Sequence, residues 1–333
     1  MKKIVITGGA GYIGSHIVER FARDYPGAEI VVLDKMTYAA HIENLLPLIA
    51  NKRIELMVGD ICDMEACLRA IKGADLVIHA AAESHVDNSF SSALNFTHTN
   101  AYGTHCIMEA CLRLNVPKII HVSTDEVYGE VLSGTANEDS IMKPTNPYSA
   151  SKAAAEMVIN GYKQSYRLPV IIIRANNIFG IRQYPEKIIP KFLLALMNGE
   201  KLTIHGNGEN RRHYLSAHDL ASALVLLTNK GVIGECYNIG TVEEYTNLEI
   251  AAMICGMFDL DPQENISFVQ DRPFNDRRYA IDWGRISKLG WAPEHLLKNE
   301  LPVIAAWYAD NAGRYQSPER AIRKPVRLSG TAA

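Results

Sequence analysis

Thr7-Gly8-Gly9-Ala10-Gly11-Tyr12-Ile13-Gly14 separates a β-branched run, Lys3–Thr7, from a stretch at 12–22 whose apolar residues recur at helical spacing. The glycines follow the spacing Gly-x-x-Gly-x-x-Gly. In such a turn the glycines allow a tight bend, a close approach of the backbone to a pyrophosphate, and close packing of helix on strand. The helix N-terminus then offers free N–H groups to the anion. The stretch therefore predicts a dinucleotide-binding strand–turn–helix unit.

Strand-like and helix-like stretches alternate along the first half of the chain. The strand-like runs are continuously apolar, which is typical of parallel strands covered on both faces by crossover helices. They lie at 3–7, 29–33, 54–58, 74–79, 118–123 and 169–174, and helical spacing occurs at 12–22, 64–71, 102–114 and 149–166. The pattern predicts an α/β fold with a doubly wound parallel sheet of the Rossmann type.

The regular alternation weakens after about residue 180, where prolines and glycines interrupt the chain. We expect residues 1–180 to form the nucleotide-binding domain, with returns to its sheet near 215–240. Residues 181–313 are expected to form mainly a smaller substrate-binding lobe. Residues 314–333 are rich in basic and small residues and are expected to be a mobile tail.

The composition excludes several classes of protein. The 333 residues are 47% hydrophobic and 21% charged, a composition typical of globular proteins. The net charge of −3 gives no reason to expect binding to nucleic acid or to a membrane surface. The longest apolar runs are too short to span a bilayer. Met1-Lys2-Lys3 leads straight into a strand-like run, so no secretion signal is expected. Six cysteines without a C-x-x-C pattern indicate reduced thiols in a cytoplasmic protein.

An acidic residue at the end of the second strand indicates which dinucleotide is bound. Asp34 can accept the ribose hydroxyls and repel a 2′-phosphate, which favours NAD over NADP, with a slight opposing effect of Lys35. The turn, the ends of the following strands and the helix that begins near residue 149 supply the expected NAD-binding residues: Gly8, Gly11, Tyr12, Ile13, Gly14, Asp34, Lys35, Thr37, Asp60, Ile61, Ala80, Ala81, Ala82, Thr99, Tyr148 and Lys152.

A Tyr-x-x-x-Lys pair, Tyr148 and Lys152, stands at the head of the helix predicted for 149–166. Residues four apart share one face of a helix. The Lys152 ammonium can lower the pKa of the phenol and hold a nicotinamide ribose. Tyr148 can then take the proton of an alcohol near neutral pH.

With these features the chain resembles the extended short-chain dehydrogenase/reductases, the family of nucleotide-sugar epimerases and dehydratases, from Lys3 to about residue 308. The catalytic hydroxyl residue of that family falls at Thr124. The acidic pair that follows it, Asp125 and Glu126, resembles the dTDP-glucose 4,6-dehydratases, whereas epimerases of this fold usually lack it. The resemblance therefore implies the catalytic residues Thr124, Asp125, Glu126, Tyr148 and Lys152.

The chemistry of a 4,6-dehydratase explains the use of two carboxyl groups. Oxidation at C4 of a hexose makes the C5 proton acidic and lets the C6 oxygen leave. One carboxylate can take that proton while one carboxylic acid protonates the departing oxygen. By resemblance, Glu126 is the C5 base, Asp125 is the C6 acid and Thr124 hydrogen-bonds the C4 oxygen. The hydride returns to C6, so tightly bound NAD is regenerated in each turnover.

The resemblance also implies a substrate-binding set. A loop after the fourth strand, the end of the sixth strand and segments of the second lobe supply Ser84, His85, Asp87, Asn177, Lys187, Arg212, Asn247, Arg272 and Asn275. Arginine forks suit phosphate oxygens. His85 belongs to no cluster with metal-ligand spacing, and no metal is expected.

Several alternatives stay open at this level. dTDP-glucose is the first expected substrate and UDP-glucose the second, because His213 and Tyr214 replace the usual Asp-Trp after Arg212. A 4-epimerase or decarboxylase on the same scaffold starts with the same oxidation. A non-catalytic NAD-binding regulator is a more remote alternative. The resemblance further implies a homodimer formed through the helices at 102–114 and 149–166.

Overall fold

The computed structural model describes residues 1–271 and 274–315. The strands are β1 Lys3–Thr7, β2 Glu29–Asp34, β3 Glu55–Val58, β4 Leu76–His79, β5 Ile119–Thr124, β6 Val170–Ala175, β7 Asn177–Phe179, β8 Leu202–His205, β9 Arg211–Ser216, β10 Cys236–Ile239, β11 Glu244–Thr246 and β12 Ile266–Val269. The helices are α1 Tyr12–Asp24, α2 Leu46–Ala50, α3 Met64–Ile71, α4 Val86–Ser91, α5 Ala93–Thr97, α6 Gly103–Arg113, α7 Pro147–Tyr166, α8 Ile188–Met197, α9 Ala217–Lys230, α10 Asn247–Met257, α11 Pro262–Asn265, α12 Gly284–Ser287 and α13 Leu297–Asn311.

A seven-stranded parallel sheet forms the centre of the molecule. Its strand order is β10-β6-β5-β4-β1-β2-β3, and each neighbouring pair runs parallel. The strand order reverses at β1, which has β2 on one side and β4 on the other. Thr7, at the end of β1, therefore pairs with both Leu33 and His79. Ligands bind in the crevice that opens where strand order reverses in this way. The fold class predicted from sequence is confirmed.

The second part of the chain builds its own apolar core beside the sheet. Strands β11, β9 and β7 form a three-stranded sheet, and β12 pairs with β8. Their apolar side chains pack with those of α8, α10 and α13. The division into domains at residue 180 stays a prediction, and the predicted tail lies outside the described residues except for Arg314 and Tyr315.

Only part of the stretch expected to rejoin the main sheet does so. Strand β10 pairs with β6 at the sheet edge. Residues 217–230 instead form α9, because Ser216 caps the N-terminus by accepting a hydrogen bond from His218 N, and apolar residues then recur at helical spacing. Helix α9 packs against α1. No helix in the described part of the chain has the length and hydropathy that a membrane crossing requires.

A buried ion pair ties the sheet to the helix that carries the Tyr-x-x-x-Lys pair. Glu156 on α7 receives two hydrogen bonds from Arg174 Nε, at 3.1 and 3.2 Å, and one from Nη2 at 2.7 Å. It also accepts from Ser123 Oγ on β5 at 2.5 Å. Arg174 Nη1 in turn donates to the Tyr128 hydroxyl at 2.7 Å. The turn after β5 and helix α7 are thereby held to one another.

Removing one partner of this pair should leave a buried charge without compensation. We expect Glu156→Gln to lower the free energy of unfolding by about 3–5 kcal/mol, measured by urea denaturation. Asp139→Asn is the matched control, because that carboxylate pairs with Arg285 at 2.9 Å but is 80% exposed; its loss should cost less than about 1 kcal/mol. Equal losses in the two variants would contradict this assignment.

Candidate active site

The glycine turn leaves no room for larger residues where β1 meets α1. Gly8 has φ +73°, and a Cβ there would lie 2.7 Å from Ala81 Cα at the end of β4. Helix α1 begins after Gly11, which provides no side-chain cap. Its first-turn amides are therefore available to an anion.

All of the residues predicted to bind NAD lie around one pocket. Its lining includes Gly8, Gly11, Tyr12, Ile13, Gly14, Asp34, Lys35, Thr37, Asp60, Ile61, Ala80, Ala81, Ala82, Thr99, Tyr148 and Lys152. The hydroxyl of Tyr12 is buried and has no hydrogen-bond partner among the described residues. The shape of the turn and this unpaired donor fit a dinucleotide. The role of each residue toward NAD remains a proposal.

The carboxylate of Asp34 is held rigidly at the end of β2. Its Oδ2 accepts from Ala10 N at 2.9 Å, and its Oδ1 accepts from Met36 N at 2.8 Å. Lys35 turns away from it and pairs with Asp60 at 2.7 Å. The carboxyl group of Asp34 therefore has a fixed position in the pocket lining. Its preference for ribose hydroxyls over a 2′-phosphate stays a prediction.

Helix α1 packs so closely on the turn that Gly14 accepts no side chain. A Cβ at Gly14 would lie 2.0 Å from the carbonyl oxygen of Gly8. We expect Gly14→Ala to abolish NAD binding and to destabilise the fold by more than about 3 kcal/mol, as measured by fluorescence titration and thermal unfolding. Gly256→Ala on α10 meets nothing within 4 Å, and this control should change stability by less than about 1 kcal/mol. Normal NAD affinity in Gly14→Ala would disprove the assignment.

Three of the predicted catalytic residues, Thr124, Asp125 and Glu126, lie at the end of β5 and in the short turn that follows it. The Thr124 hydroxyl accepts from Glu126 N at 3.2 Å and donates to Asp125 Oδ1 at 3.3 Å. The turn closes at Gly129, where φ is +74° and a Cβ would lie 2.2 Å from the Lys143 carbonyl oxygen. The chain therefore bends sharply at Gly129, shortly after the acidic pair.

The two adjacent carboxyl groups have different surroundings. Asp125 is 2% exposed and accepts from Asn176 Nδ2 at 2.8 Å. Burial, reinforced by the negative charge of Glu126, raises the pKa of Asp125 to about 7. Burial also raises the pKa of Glu126, while Arg212, a hydrogen bond from Asn146 at 3.2 Å and Lys187 oppose that rise. Asp125 is therefore suited to donate a proton and Glu126 to accept one.

The sequence-based expectation for the Tyr148 phenol is wrong for this structure. Its pKa is raised, first by burial and then by the charge of Glu126, although Thr124 lowers it through a hydrogen bond. Lys152 is not among the groups that lower the pKa of Tyr148, and its Nζ donates to the Val122 carbonyl oxygen at 2.7 Å. Burial lowers the pKa of Lys152 to about 8. Tyr148 and Thr124 are brought together as predicted, but Lys152 is turned toward the sheet.

A second pocket adjoins the first, and three residues, Gln183, Glu186 and Lys187, line both. Most of the predicted substrate residues line this second pocket together with Glu126: His85, Asp87, Asn177, Lys187, Arg212, Asn247 and Asn275. Ser84 lines the first pocket instead, where its carbonyl oxygen accepts from Lys187 Nζ at 2.8 Å. The predicted Arg272 lies outside the described residues. The roles of these residues remain proposals.

The structure adds four site residues that the sequence reasoning did not select. Asn176 binds Asp125, and Asn146 binds Glu126 while also capping α7. Asp276 and Tyr279 line the second pocket. An Asn followed by Pro147 at a helix start was a readable capping signal, whereas nothing in the sequence indicated the inward position of Asp276.

A parallel doubly wound sheet with this turn and this Tyr-x-x-x-Lys helix defines a short-chain dehydrogenase/reductase of the extended type. Within that class the chain belongs to the nucleotide-sugar 4,6-dehydratase family, since the family model described as GDP-mannose 4,6 dehydratase matches residues 5–301. The family predicted from sequence is confirmed.

Two of the substrates named for relatives of this chain are UDP-glucose and dTDP-glucose. A trifunctional protein of Arabidopsis thaliana, named as a UDP-glucose 4,6-dehydratase, epimerase and reductase, is 46% identical over 93% of this chain, which spans 47% of that relative. A dTDP-D-glucose 4,6-dehydratase of Mus musculus is 40% identical over 96% of this chain and 92% of its own length. The dTDP-glucose 4,6-dehydratase DesIV of Streptomyces venezuelae, solved with NAD bound, has a TM-score of 0.91 and 38% identity, covering 94% of this chain and 99% of that one.

Proposed function

We propose that this chain is an NAD-dependent nucleotide-sugar 4,6-dehydratase, a hydro-lyase. Its substrate is dTDP-glucose, with UDP-glucose as the second candidate, and its product is the 4-keto-6-deoxy sugar. The observation that carries the proposal is the Asp125–Glu126 pair, whose two carboxyl groups lie in different surroundings beside Thr124 and Tyr148. The dTDP-glucose 4,6-dehydratases among the relatives support the same reaction.

The residues of the chain divide the reaction among them. Tyr148 takes the proton of the C4 hydroxyl, and Thr124 hydrogen-bonds the C4 oxygen. When bound around the first pocket, by Gly11, Asp34 and Lys152 among others, NAD would supply the hydride acceptor for C4 and the hydride donor for C6. Glu126 removes the C5 proton, and Asp125, neutral below its pKa of about 7, protonates the C6 oxygen as it leaves as water. Glu126 then gives a proton back to C5.

Mass spectrometry of the product tests this function directly. Glucose deuterated at C4 and attached to dTDP should yield a sugar that has lost one water and carries the deuterium in its new methyl group. A 4-epimerase would keep the substrate mass, and a decarboxylase would need a carboxylate at C6. A product of unchanged mass, or deuterium lost to the solvent, would refute the proposal.

The choice of nucleotide is a separate question. The relatives named for UDP-glucose are up to 46% identical to this chain, whereas those named for dTDP-D-glucose are about 40% identical. This difference is the observation that favours UDP-glucose as a second candidate. Comparing kcat/KM for dTDP-glucose and UDP-glucose on the same protein decides between them.

The assembly and location are also proposals. We propose a homodimer formed through α6 and α7, supported by exposed apolar side chains on and beside these helices, including Tyr102, Met157 and Tyr166. Sedimentation measures this assembly, and we expect Met157→Lys to shift the protein from dimer to monomer. A cytoplasmic location is supported by the six cysteines, which all lie in the described residues as free thiols.

The raised pKa of Asp125 gives a prediction for pH dependence. Its folded-state pKa of about 7 means that the acid form needed at C6 predominates below pH 7 and is lost above it. We therefore expect kcat for dehydration to fall as pH rises above about 7. In Asp125→Asn, which has no titrating group there, the much lower residual rate should lose this basic limb. If Asp125→Asn keeps the same fall of kcat at high pH, that fall belongs to the titration of another residue.

A further inference from the structure

Asp276 is a buried carboxylate in the second pocket that the proposed mechanism does not use. Its side chain is 3% exposed and lies with Glu126, Asn146 and Tyr279 in the pocket lining. Oδ2 accepts from Thr145 Oγ at 2.7 Å and from the Tyr279 hydroxyl. Oδ1 is buried and has no hydrogen-bond partner within residues 1–271 and 274–315. Oδ2 therefore has two hydrogen-bond donors, whereas Oδ1 has none among these residues.

The surrounding contacts fix the direction of this open oxygen. The backbone carbonyl of Asp276 accepts from Asn210 Nδ2 at 3.0 Å and from Arg212 Nη2 at 2.9 Å. The Arg212 guanidinium also stacks on the Tyr279 ring, with Cζ 4.4 Å from its centroid. With backbone and Oδ2 both held, the carboxylate cannot easily turn to find another donor. A buried acceptor without a partner costs about 1–3 kcal/mol, so a site built in this way calls for a donor from a ligand.

Two consecutive residues hold the carboxyl groups of Asp276 and Glu126, which line the same pocket. Thr145 donates to Asp276, and Asn146 donates to Glu126 at 3.2 Å. The charge of Asp276 also acts on Glu126. When one atom of a ligand contacts Glu126, the adjacent groups of that ligand therefore lie near Asp276.

The identity of the donor rests on the proposed function. In that reaction Tyr148 and Thr124 meet the C4 oxygen, Glu126 meets C5 and Asp125 meets the C6 oxygen. The hydroxyls of the hexose left without an assigned partner are those at C2 and C3. We infer that Asp276 accepts a hydrogen bond from the C2 or C3 hydroxyl of the hexose and thereby determines which nucleotide sugars are bound.

Calorimetric binding separates this role from a structural one. The wild type and Asp276→Asn are titrated with dTDP, dTDP-glucose and its 2-deoxy and 3-deoxy analogues, and with UDP and UDP-glucose in parallel. Asparagine can still accept from Thr145 and Tyr279, but it turns an amide donor toward the sugar. We expect dTDP-glucose to bind about 10–100-fold more weakly, as for loss of a hydrogen bond to a charged group, while the Kd of dTDP changes less than about twofold.

Binding of the deoxy analogues to the wild type identifies the hydroxyl, and this comparison does not depend on the stability of any variant. Wild-type protein should bind one analogue at least about tenfold more weakly than the parent sugar, and Asp276→Asn should lose that difference. Asp310→Asn, an equal change in charge at an exposed position of α13, is the control and should bind as the wild type does. Equal weakening of dTDP and dTDP-glucose, or unchanged discrimination in Asp276→Asn, would overturn the inference. Because binding is measured, a failure of dehydration alone would count against the proposed function and not against this contact.

Discussion

Glu126→Gln is expected to stop the reaction after sugar oxidation. Glutamine keeps the size of the side chain and can still accept from Asn146, so the fold and the pocket should persist. It cannot remove the C5 proton, and general base catalysis contributes about 10²–10⁴-fold to such steps. We expect dehydration to slow by that factor, while the absorbance of reduced nicotinamide rises on addition of substrate and then stays high.

The measurement is a stopped-flow absorbance trace combined with mass spectrometry of the sugar. Glu55→Gln, on the exposed edge strand β3, is the matched control and should turn over at the wild-type rate. If Glu126→Gln releases dehydrated sugar at the wild-type rate, Glu126 is not the C5 base. If reduced nicotinamide fails to form, Glu126 acts already in the oxidation.

The fold and the cofactor pocket were predictable from sequence because both depend on local rules. Continuous apolar runs indicate parallel strands, and the spacing of Gly8, Gly11 and Gly14 specifies a backbone shape that larger side chains cannot adopt. The carboxyl ends of parallel strands meet at one edge, so residues after β1, β2, β3 and β4 necessarily share a pocket. This geometry is why the NAD-binding residues predicted at the ends of these strands line the same site.

The substrate side was less predictable because it depends on contacts between distant segments. Asn176 and Asn177 are adjacent, but only the structure shows that Asn176 turns inward to Asp125 while Asn177 lines the second pocket. Asp276 comes from an irregular segment, and its direction is set by Thr145, far away in the chain. Such placements follow from tertiary packing and leave no periodic signal in the sequence.

The misjudged effect of Lys152 has the same origin. Helical spacing does place Tyr148 and Lys152 on one face of α7, but spacing does not say which acceptor the ammonium finds. Here the Val122 carbonyl oxygen takes it, and Glu156, one turn further along α7, adds a negative charge that helps to keep Lys152 protonated. A side chain as long as lysine has several acceptors within reach, so its partner is decided by the sheet beneath the helix.

Tyr148→Phe is expected to block the reaction at its first step. Phenylalanine preserves the ring, which packs edge-on against Phe96 with centroids 6.4 Å apart, but removes the oxygen that receives the C4 hydroxyl proton. We expect a loss of dehydration on the order of 10³-fold, within the range for general acid–base groups. In contrast to Glu126→Gln, no absorbance of reduced nicotinamide should appear.

The state of the phenol adds a second measurable consequence. Because burial and the charge of Glu126 raise the pKa of Tyr148, the deprotonated form is scarce near neutral pH and grows as pH rises. The rate of sugar oxidation in Glu126→Gln, which also removes that negative charge, should therefore increase with pH. Tyr25→Phe is the control and should leave turnover unchanged, because this phenol lines neither pocket and its hydroxyl donates to Asn229 at 3.3 Å. Normal turnover in Tyr148→Phe would remove this residue from the mechanism. Among the described residues, the other phenols that line this pocket are Tyr12, at the glycine turn, and Tyr184, on the loop before α8, and these would be tested next.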